Sequence, residues 1–241
     1  MTPLLEGRGL VKNFGALRAL DEVGLTLLPG EILGVIGPNG SGKTTMFNVM
    51  TGQLKSDGGQ VLLDGRDITG LKDFQICRLG LVKTAQIVQP FAGMSVLENV
   101  FIGGMFGAGL KLKQARAEAL ELLEFVGLAP LAQASAGSIT VAMRRRLELA
   151  RALATRPRVI LLDENMAGLT PSEIDQALVL LRAIHARGVA LIVVEHIMQV
   201  VVGICSRVLV LNYGQKIGEG RPEEVMRDRQ VIEAYLGEHY A

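Results

Sequence analysis

One short run of residues constrains the fold of this chain more than any other feature. It has the spacing G-x-x-x-x-G-K-[ST], and the apolar run Ile32–Ile36 comes directly before it. A stretch with apolar residues at helical spacing follows, from 44 to 51. Strand, glycine turn and helix are the context in which this spacing binds phosphate. The residues of the turn are Gly37, Pro38, Asn39, Gly40, Ser41, Gly42, Lys43, Thr44 and Thr45.

The chemistry of phosphate binding explains these residue types. Successive backbone N–H groups can close around phosphate oxygens only where glycine avoids a side-chain collision or adopts a positive φ. The helix that begins here adds the positive end of its dipole. We expect Lys43 to bring its charge near the β- and γ-phosphates, and the Thr44 hydroxyl to ligate Mg²⁺. The turn therefore predicts a site for a nucleoside triphosphate with magnesium.

Composition and charge limit the class of protein. The chain has 241 residues, 49% of them hydrophobic, which is enough for one large domain or one core with an inserted subdomain. The net charge of +1 gives no overall field that attracts nucleic acid or anionic lipid. The basic runs 113–116 and 144–146 are interpreted as solvated helix faces. Cys77 and Cys205 lack metal-type spacing and indicate buried thiols in a reducing compartment.

The sequence predicts no segment that enters a membrane. Its N-terminal residues lack the charged and apolar regions of a signal peptide. No uninterrupted apolar run approaches the roughly 20 residues of a membrane helix. We therefore expect a cytoplasmic protein that works at a membrane only by docking on a protein already there.

The order of predicted elements indicates an α/β protein. Strands and turns dominate up to about residue 86, and 87–156 is mainly helical. A later helix, 171–187, begins with Thr170 and Glu173 at capping-box spacing. We predict one domain in which a parallel-sheet core, 1–86 with 157–241, is interrupted by a helical subdomain at 87–156. The later strands, predicted from continuous apolar runs, are 159–162, 189–194 and 207–211.

Two of these strands end in residues that would complete the site. Asp163 and Glu164 follow the first run and His196 follows the second, and parallel strands bring their carboxyl ends to one edge of a sheet. Asp163 can then reach the Mg²⁺ near Thr44. Glu164 lies one residue further toward the γ-phosphate, where a carboxylate polarises an attacking water, and His196 can hydrogen-bond the γ-phosphate. The alternatives are a helix-capping acid and an ordinary histidine at a strand end.

Phosphate turn, acidic strand end and strand-ending histidine, with a helical insert between the first two, resemble the ATP-binding cassette (ABC) ATPases. The resemblance covers nearly the whole chain, which looks like the larger ATP-binding subunit of branched-chain amino acid importers. It implies a P-loop NTPase fold with a RecA-like parallel-sheet core, an N-terminal antiparallel β subdomain and an inserted helical subdomain. The stretches that carry it include 37–48, 95–100, 145–151 and 231–237.

The resemblance also implies roles that the pattern alone does not single out. Phe14 looks like the aromatic residue that stacks on adenine, with an ordinary core phenylalanine as the alternative. Gln86, rather than Gln89, looks like the loop glutamine that ligates Mg²⁺ and reports to the membrane subunit. The cofactors implied are ATP and Mg²⁺, and the reaction is ATP hydrolysis coupled to transport, with Lys43, Glu164 and His196 as catalytic residues. The implied metal ligands are Thr44, Gln86 and Asp163.

Partners follow from the way such a family works. Two cassettes pair head to tail, so that each ATP lies between the phosphate turn of one chain and a signature segment of the other. ATP favours the closed pair, and docked membrane helices respond to that shift. The implied partners are transmembrane permease subunits and a second ATP-binding subunit, at the inner face of the cell membrane. Neither nucleic acid nor the transported substrate is expected to contact this chain.

The signature segment, usually close to Leu-Ser-Gly-Gly-Gln, is where the pattern breaks. It aligns with Ile139 followed by Thr140, Val141, Ala142 and Met143. A Cβ on Ala142 can obstruct close backbone approach to a γ-phosphate across the pair. We therefore expect a heterodimer with one competent and one weakened site, and a homodimer with two working sites is the alternative. Asn165 also stands where proline usually follows the glutamate.

Other functions share the same motifs. An ATPase that serves lipid or lipopolysaccharide export has the same site chemistry, and a nucleotide-binding regulatory subunit with weak hydrolysis would explain the altered signature segment. Roles in DNA repair or translation are disfavoured, because relatives with those roles carry a long coiled-coil insertion or two cassettes in one chain. The transported substrate is not encoded here, since the ATPase never touches it, and the direction of transport rests on resemblance.

Overall fold

The computed structural model describes residues 2–85 and 89–236. Within those ranges no helix combines the length and the apolar composition needed to span a bilayer. The strands are β1 (Leu5–Phe14), β2 (Leu17–Leu27), β3 (Ile32–Ile36), β4 (Gly58–Leu63), β5 (Arg66–Asp67), β6 (Leu81–Lys83), β7 (Val159–Asp163), β8 (Ala190–Val194), β9 (Arg207–Asn212) and β10 (Gln215–Gly220). The α-helices are α1 (Lys43–Met50), α2 (Asp73–Arg78), α3 (Val96–Phe106), α4 (Leu112–Phe125), α5 (Val141–Ala154), α6 (Pro171–Ala186), α7 (Met198–Ile204), α8 (Pro222–Val225) and α9 (Arg229–Leu236).

The larger sheet carries the strand ends that were expected to form the site. Its strand order is β10-β9-β3-β8-β7-β6, and only β10 runs antiparallel to its neighbour. Every residue of β3, β7 and β8 is buried, as expected for parallel strands covered on both faces. The carboxyl ends of these three strands therefore lie side by side at one edge, and the predicted parallel-sheet core is confirmed.

Alternate residues of the central strands pack against different layers of helix. In β3, Leu33 and Val35 join the cluster that contains α1, whereas Ile32 and Ile36 join the cluster that contains α6 and α7. Each buried aliphatic side chain of this kind contributes about 1.5–3 kcal/mol to folding. The two layers hold the sheet edge rigidly, because both faces of every central strand are packed.

The smaller sheet, of order β2-β1-β4-β5, is antiparallel and belongs to the N-terminal part of the chain. It confirms the N-terminal antiparallel β subdomain that the resemblance implied. Leu5, Leu20 and Leu27 are fully buried in the same cluster as α1. The tip of the β1–β2 hairpin, at Phe14, is thereby held beside the start of α1.

Between β6 and β7, helices α3, α4 and α5 pack around an apolar cluster of their own, in which Val100, Leu123 and Leu147 are buried. Helix α3 begins with a capping box, in which Ser95 Oγ accepts from Glu98 N at 3.1 Å and Glu98 Oε2 accepts from Ser95 N at 2.7 Å. This separate cluster supports the helical subdomain predicted at 87–156, whose limits remain a prediction.

Some local features differ from the predicted ones for identifiable reasons. Helix α2 was not predicted, because six residues show little periodicity. Leu120 of α4 is 45% exposed, although it lies only three residues before the buried Leu123. Arg145, expected to be solvated, is buried, because α5 contributes to both the sheet cluster and the helical cluster. Of the two cysteines expected to be buried, Cys205 is buried and Cys77 is half-buried.

Candidate nucleotide-binding site

The predicted phosphate turn joins β3 to α1 at the carboxyl edge of the larger sheet. Gly37, Gly40 and Gly42 have positive φ angles of 148°, 75° and 106°, which favour glycine. A Cβ on Gly37 would collide with the carbonyl oxygen of Leu211, and one on Gly42 would lie 2.6 Å from that of Ala19. A Cβ on Gly40 would meet nothing within 4 Å. The turn thus lies directly against β9 at Gly37 and β2 at Gly42, and it is open at Gly40.

Lys43 lies inside this turn and is only 5% exposed. Its Nζ donates to the carbonyl oxygens of Gly37 at 2.8 Å and Pro38 at 2.7 Å, and lies 3.4 Å from Ser41 Oγ. These contacts hold a positive charge against the same backbone whose N–H groups are predicted to bind phosphate. Charge-assisted hydrogen bonds from such an ammonium group are among the strong ones. The arrangement fits a polyphosphate ligand.

A cavity of about 340 Å³ opens beside the turn. Phe14, Leu17 and Ala19 line it on one side, and the start of α1 and Glu164 line it on the other. Phe14 is 47% exposed, so it is not a core residue, and Lys12 Nζ lies 5.6 Å from the centroid of its ring. An exposed aromatic ring beside a phosphate site is available to stack on a base, which supports the predicted contact with adenine.

Asp163 ends β7 opposite the first turn of α1. Its Oδ1 lies 3.5 Å from Thr44 Oγ1, so a hydroxyl and a carboxylate converge there. Both are oxygen ligands of the kind that Mg²⁺ prefers, and the donor set therefore fits this ion. Asp163 is fully buried, and Lys83 Nζ lies 2.9 Å from its Oδ2. The third predicted ligand, Gln86, lies outside the described residues.

Glu164 and His196, predicted from two different strand ends, lie in contact. The Nε2 of His196 is 2.8 Å from Glu164 Oε1. Glu164 has a φ of 49°, a left-handed conformation that costs a non-glycine residue about 1–2 kcal/mol. The side chain of Glu164 lines the cavity beside the phosphate turn. A carboxylate held by a histidine at the mouth of a phosphate site is suited to polarise a water.

Glu195, between β8 and His196, was not predicted as part of the site. It is 3% exposed, and its Oε1 accepts from Met166 N at 2.8 Å. Burial raises the pKa of Glu195 to about 7, and the nearby carboxylate of Glu164 adds to this effect. The sequence did carry a hint, because the pair Glu195-His196 ends a buried strand much as Asp163-Glu164 does.

Glu148 connects three segments around the site, and it was also missed. It lies on α5 and is 8% exposed; its Oε1 accepts from Ala85 N at 2.6 Å, and its Oε2 lies 3.4 Å from Asn165 Nδ2. Burial raises the pKa of Glu148, despite these donors and the charges of Arg145 and Arg151. Asn165, noted above as a departure from proline, thus supplies a donor that proline lacks.

The signature segment forms the start of α5. Thr140 caps the helix, because its Oγ1 accepts from Met143 N at 3.3 Å. Val141 is 57% exposed, and Ala142 and Met143 are half-buried. Among the described residues, those that line the cavity beside Lys43 include none from this segment. The described residues of this segment therefore do not contribute to the cavity at the chain's own phosphate turn.

A second, larger groove of about 520 Å³ lies between β6, α2, α3 and α5. Three exposed aromatic residues line it: Phe74, Phe91 and Phe106 are 52%, 47% and 67% exposed. Ala85 and Gln89, on either side of 86–88 in the chain, line it as well. Aromatic side chains are enriched at protein interfaces, so exposed rings around a groove suit a protein interaction site.

Known proteins resemble this chain in sequence and in fold. A family model described as ABC transporter matches residues 20–167, and one described as branched-chain amino acid ATP-binding cassette transporter matches residues 215–241. The chain is 40% identical to the high-affinity branched-chain amino acid transport ATP-binding protein LivG of Escherichia coli (strain K12), over 98% of each chain.

Solved structures of ATP-binding cassettes have a similar fold. The ADP conformation of an ATP-binding cassette of an ABC transporter is 33% identical and has a TM-score of 0.89, covering 98% of this chain and 100% of that one. A dimeric ATP-binding cassette in a post-hydrolysis state, bound to ADP and Pi, is 25% identical and has a TM-score of 0.80, covering 90% of this chain and 98% of that one. The fold thus agrees with a single group of proteins.

Proposed function

Because this chain belongs to the family of ABC transporter ATP-binding subunits, we propose that it drives the import of branched-chain or related amino acids. Family membership makes it an ATPase, the ATP-binding subunit of an ABC importer with the P-loop NTPase fold, which works with permease subunits and in a dimer of cassettes. The substrate class rests on two findings: the identity to LivG along the whole chain, and the match of 215–241 to the branched-chain amino acid group. The same two findings favour amino-acid import over lipid or lipopolysaccharide export.

The observation that carries the proposed chemistry is the meeting of Thr44 and Asp163 beside a cavity lined by Glu164. When bound, Mg²⁺ neutralises charge on the transferring phosphoryl group. The backbone of the phosphate turn and Lys43 bind the phosphates, and Thr44 with Asp163 holds the metal. Gln86 is proposed as a further ligand on the basis of the resemblance alone.

Glu164 and His196 are proposed to act as a unit in hydrolysis. Glu164 accepts a hydrogen bond from the attacking water, which orients and polarises it. His196 Nε2, 2.8 Å from Glu164 Oε1, fixes the orientation of that carboxylate. The histidine emerges at the end of β8, next to the phosphate edge, and from there it can also hydrogen-bond the γ-phosphate.

The groove lined by Phe74, Phe91 and Phe106 is proposed as the permease-docking surface. It lies beside β6 and is lined by Ala85 and Gln89, so a helix seated there would contact both of these residues. Apolar rings at its rim offer burial to a partner helix. A chain docked in this way would be peripheral on the inner face of the cell membrane.

The dimer is proposed to be a heterodimer with unequal sites. This chain contributes Lys43, Asp163, Glu164 and His196 to one site, which the signature segment of its partner completes. To the other site it contributes Thr140, the exposed Val141 and the half-buried Ala142. The methyl group of Ala142 sits at the start of α5, where backbone N–H groups would approach a phosphate. The second site is therefore expected to be the weaker one.

Reconstitution tests the proposal directly. The chain is purified with its permease subunits and second ATP-binding subunit, placed in proteoliposomes, and assayed for ATP turnover and uptake of labelled leucine. Glu164→Gln is expected to lower both about 100-fold or more while nucleotide binding is kept, since it removes the group that polarises water. Glu233→Gln, an exposed change on α9, is the matched control.

Each outcome of this assay has a clear meaning. Leucine uptake that depends on Glu164 supports amino-acid import. ATP turnover that depends on Glu164 without uptake of any branched-chain amino acid would contradict the proposed substrate class. Unchanged uptake and turnover in the Glu164→Gln complex would instead support the nucleotide-binding regulatory subunit.

A further inference from the structure

Lys83 stands beside the predicted metal site, and neither the motifs nor the family resemblance gave it a role. It is the last residue of β6, and its side chain is 8% exposed. Its Nζ lies 2.9 Å from Asp163 Oδ2 and donates to Asn48 Oδ1 at 2.8 Å. A buried ammonium group needs partners of this kind, because an unpaired buried charge is very costly.

The two carboxylate oxygens of Asp163 face different groups. Oδ2 faces Lys83, whereas Oδ1 faces Thr44. Thr44 and Asn48 are four residues apart on α1, so they lie on the same face of that helix. Lys83 therefore joins α1 to β7 immediately beside the predicted position of the metal.

We propose that Lys83 is the resident counter-ion of Asp163: it balances this carboxylate until magnesium arrives, and it lowers the affinity of the site for magnesium. The inference rests on the proposed nucleotide site. Asp163 has no exposed surface, so its charge needs a partner within the protein, and Lys83 provides one. The same positive charge repels a divalent cation held between Thr44 and Asp163.

This arrangement has a consequence for the order of binding. With Lys83 in place, the site is stable without metal and gains little from Mg²⁺ alone. Phosphate oxygens add the negative charge that outweighs the repulsion, so metal and nucleotide are taken up together. A purely orienting role for Lys83 predicts the opposite sign, since loss of the side chain would then weaken metal binding.

The test compares variants of the full chain with and without metal. Lys83→Gln keeps a hydrogen-bond donor but removes the charge, Lys83→Arg keeps the charge, and Lys113→Gln on the exposed face of α4 is the control. Melting temperature is measured with a non-hydrolysable ATP analogue over a range of Mg²⁺ concentrations, and Mn²⁺ binding is followed by electron paramagnetic resonance.

Lys83→Gln is expected to melt at a lower temperature without metal, and to need at least about threefold less Mg²⁺ or Mn²⁺ for half-saturation, because the repulsion is gone. Lys83→Arg and Lys113→Gln are expected to stay within about twofold of the original chain. An unchanged or higher metal requirement in Lys83→Gln overturns the inference. A starting chain without any Mg²⁺-dependent response to the analogue would overturn the proposed function as well, so the two failures are distinguishable.

A second comparison covers the case in which Lys83→Gln does not fold. Asp163→Asn leaves Lys83 without its carboxylate, and the double variant Lys83→Gln/Asp163→Asn removes both charges. If Lys83 is a counter-ion, the double variant melts at a higher temperature than Asp163→Asn alone. A lower melting temperature for the double variant contradicts the inference.

Discussion

Three carboxylates lie at the strand ends of the site, and each has a different neighbouring group. Asp163 faces Lys83, Glu164 faces His196, and Glu195 is buried against a backbone N–H. The first pairing keeps a charge inside the protein, and the second orients a group toward the cavity. Burial of the third carboxyl group favours its protonated form near neutral pH, although the backbone N–H of Met166 opposes this. Residues of one chemical type thus take separate tasks because their surroundings differ.

Glu195→Gln is predicted to flatten the pH dependence of stability. The pKa of Glu195 rises from 4.5 to about 7 in the fold, so the native state binds this proton more tightly than the unfolded chain does. The free energy of unfolding should therefore fall by roughly 3 kcal/mol as the pH rises from about 4.5 to above 7, and glutamine removes this fall. Urea unfolding between pH 4.5 and 8.5 measures it. Glu233→Gln should keep the original profile, and an unchanged slope in Glu195→Gln would contradict the assignment.

Sequence reasoning found the residues whose role follows from local spacing. It missed the residues whose role depends on burial in the fold. Lys43 and Thr44 follow from a spacing, and Asp163 and Glu164 from the end of an apolar run. Glu148 could not be found in this way, since an acid within a helical pattern is normally solvent-exposed. Only packing on both sides of α5 makes it internal. Lys83 and Glu195 were missed for the same reason.

At the scale of elements, α5 connects the signature segment to the rest of the site. It begins at the Thr140 cap, contributes to two apolar clusters and carries Glu148 to Ala85 and Asn165. Its first turn is therefore exposed to a partner while the helix body is fixed on both sides. A small change in that first turn can alter the surface offered to the partner with little effect on packing.

Ala142→Gly is predicted to speed hydrolysis at the partner's site. It removes the Cβ at the start of α5 and restores the small residue usual there, at a cost of at most about 1 kcal/mol in helix stability. Turnover of the reconstituted pair should rise several-fold, since each backbone donor to a transition-state charge is worth 100-fold or more when well placed. Ala142→Ser, which keeps a Cβ, is the matched control. A rise of equal size in both variants would show that the Cβ is not the obstacle.

Elements with strong periodicity or clear ends were predicted well. The buried strands follow from continuous apolar runs, and α6 begins at the predicted capping box, in which Thr170 Oγ1 accepts from Glu173 N. Helix α2 was missed because it is too short to show a period. The solvent exposure of Leu120 could not be foreseen either, since it depends on how far α4 rotates against α3 and α5.

At the scale of the whole molecule, two surfaces share one stretch of chain. The nucleotide cavity lies at the carboxyl edge of the parallel sheet, and the aromatic groove lies beside β6. Lys83 at the end of β6 contacts Asp163, and Ala85, two residues on, contacts Glu148. A change at the nucleotide site can therefore reach the proposed permease surface through direct contacts.

The proposed inequality of the two sites predicts an asymmetric pair. This chain alone should hydrolyse ATP at least about tenfold more slowly than when mixed with its partner, because it lacks a well-formed signature segment to complete its site. In the mixed pair, Lys43→Ala in this chain should abolish most turnover, whereas the equivalent change in the partner should cost much less. Steady-state rates of the four combinations measure this. Fast, cooperative hydrolysis by the single chain would contradict it and favour a homodimer.

The close approach of the Leu211 carbonyl oxygen to Gly37 also limits which codon changes are tolerated at that position. Every single-base change that alters a glycine codon either stops translation or introduces a residue with a Cβ. The Cβ of each such residue would collide with strand β9. That strand could move away only by losing pairing with its neighbours β3 and β10. A population of gene copies under selection would therefore keep only the synonymous codons there.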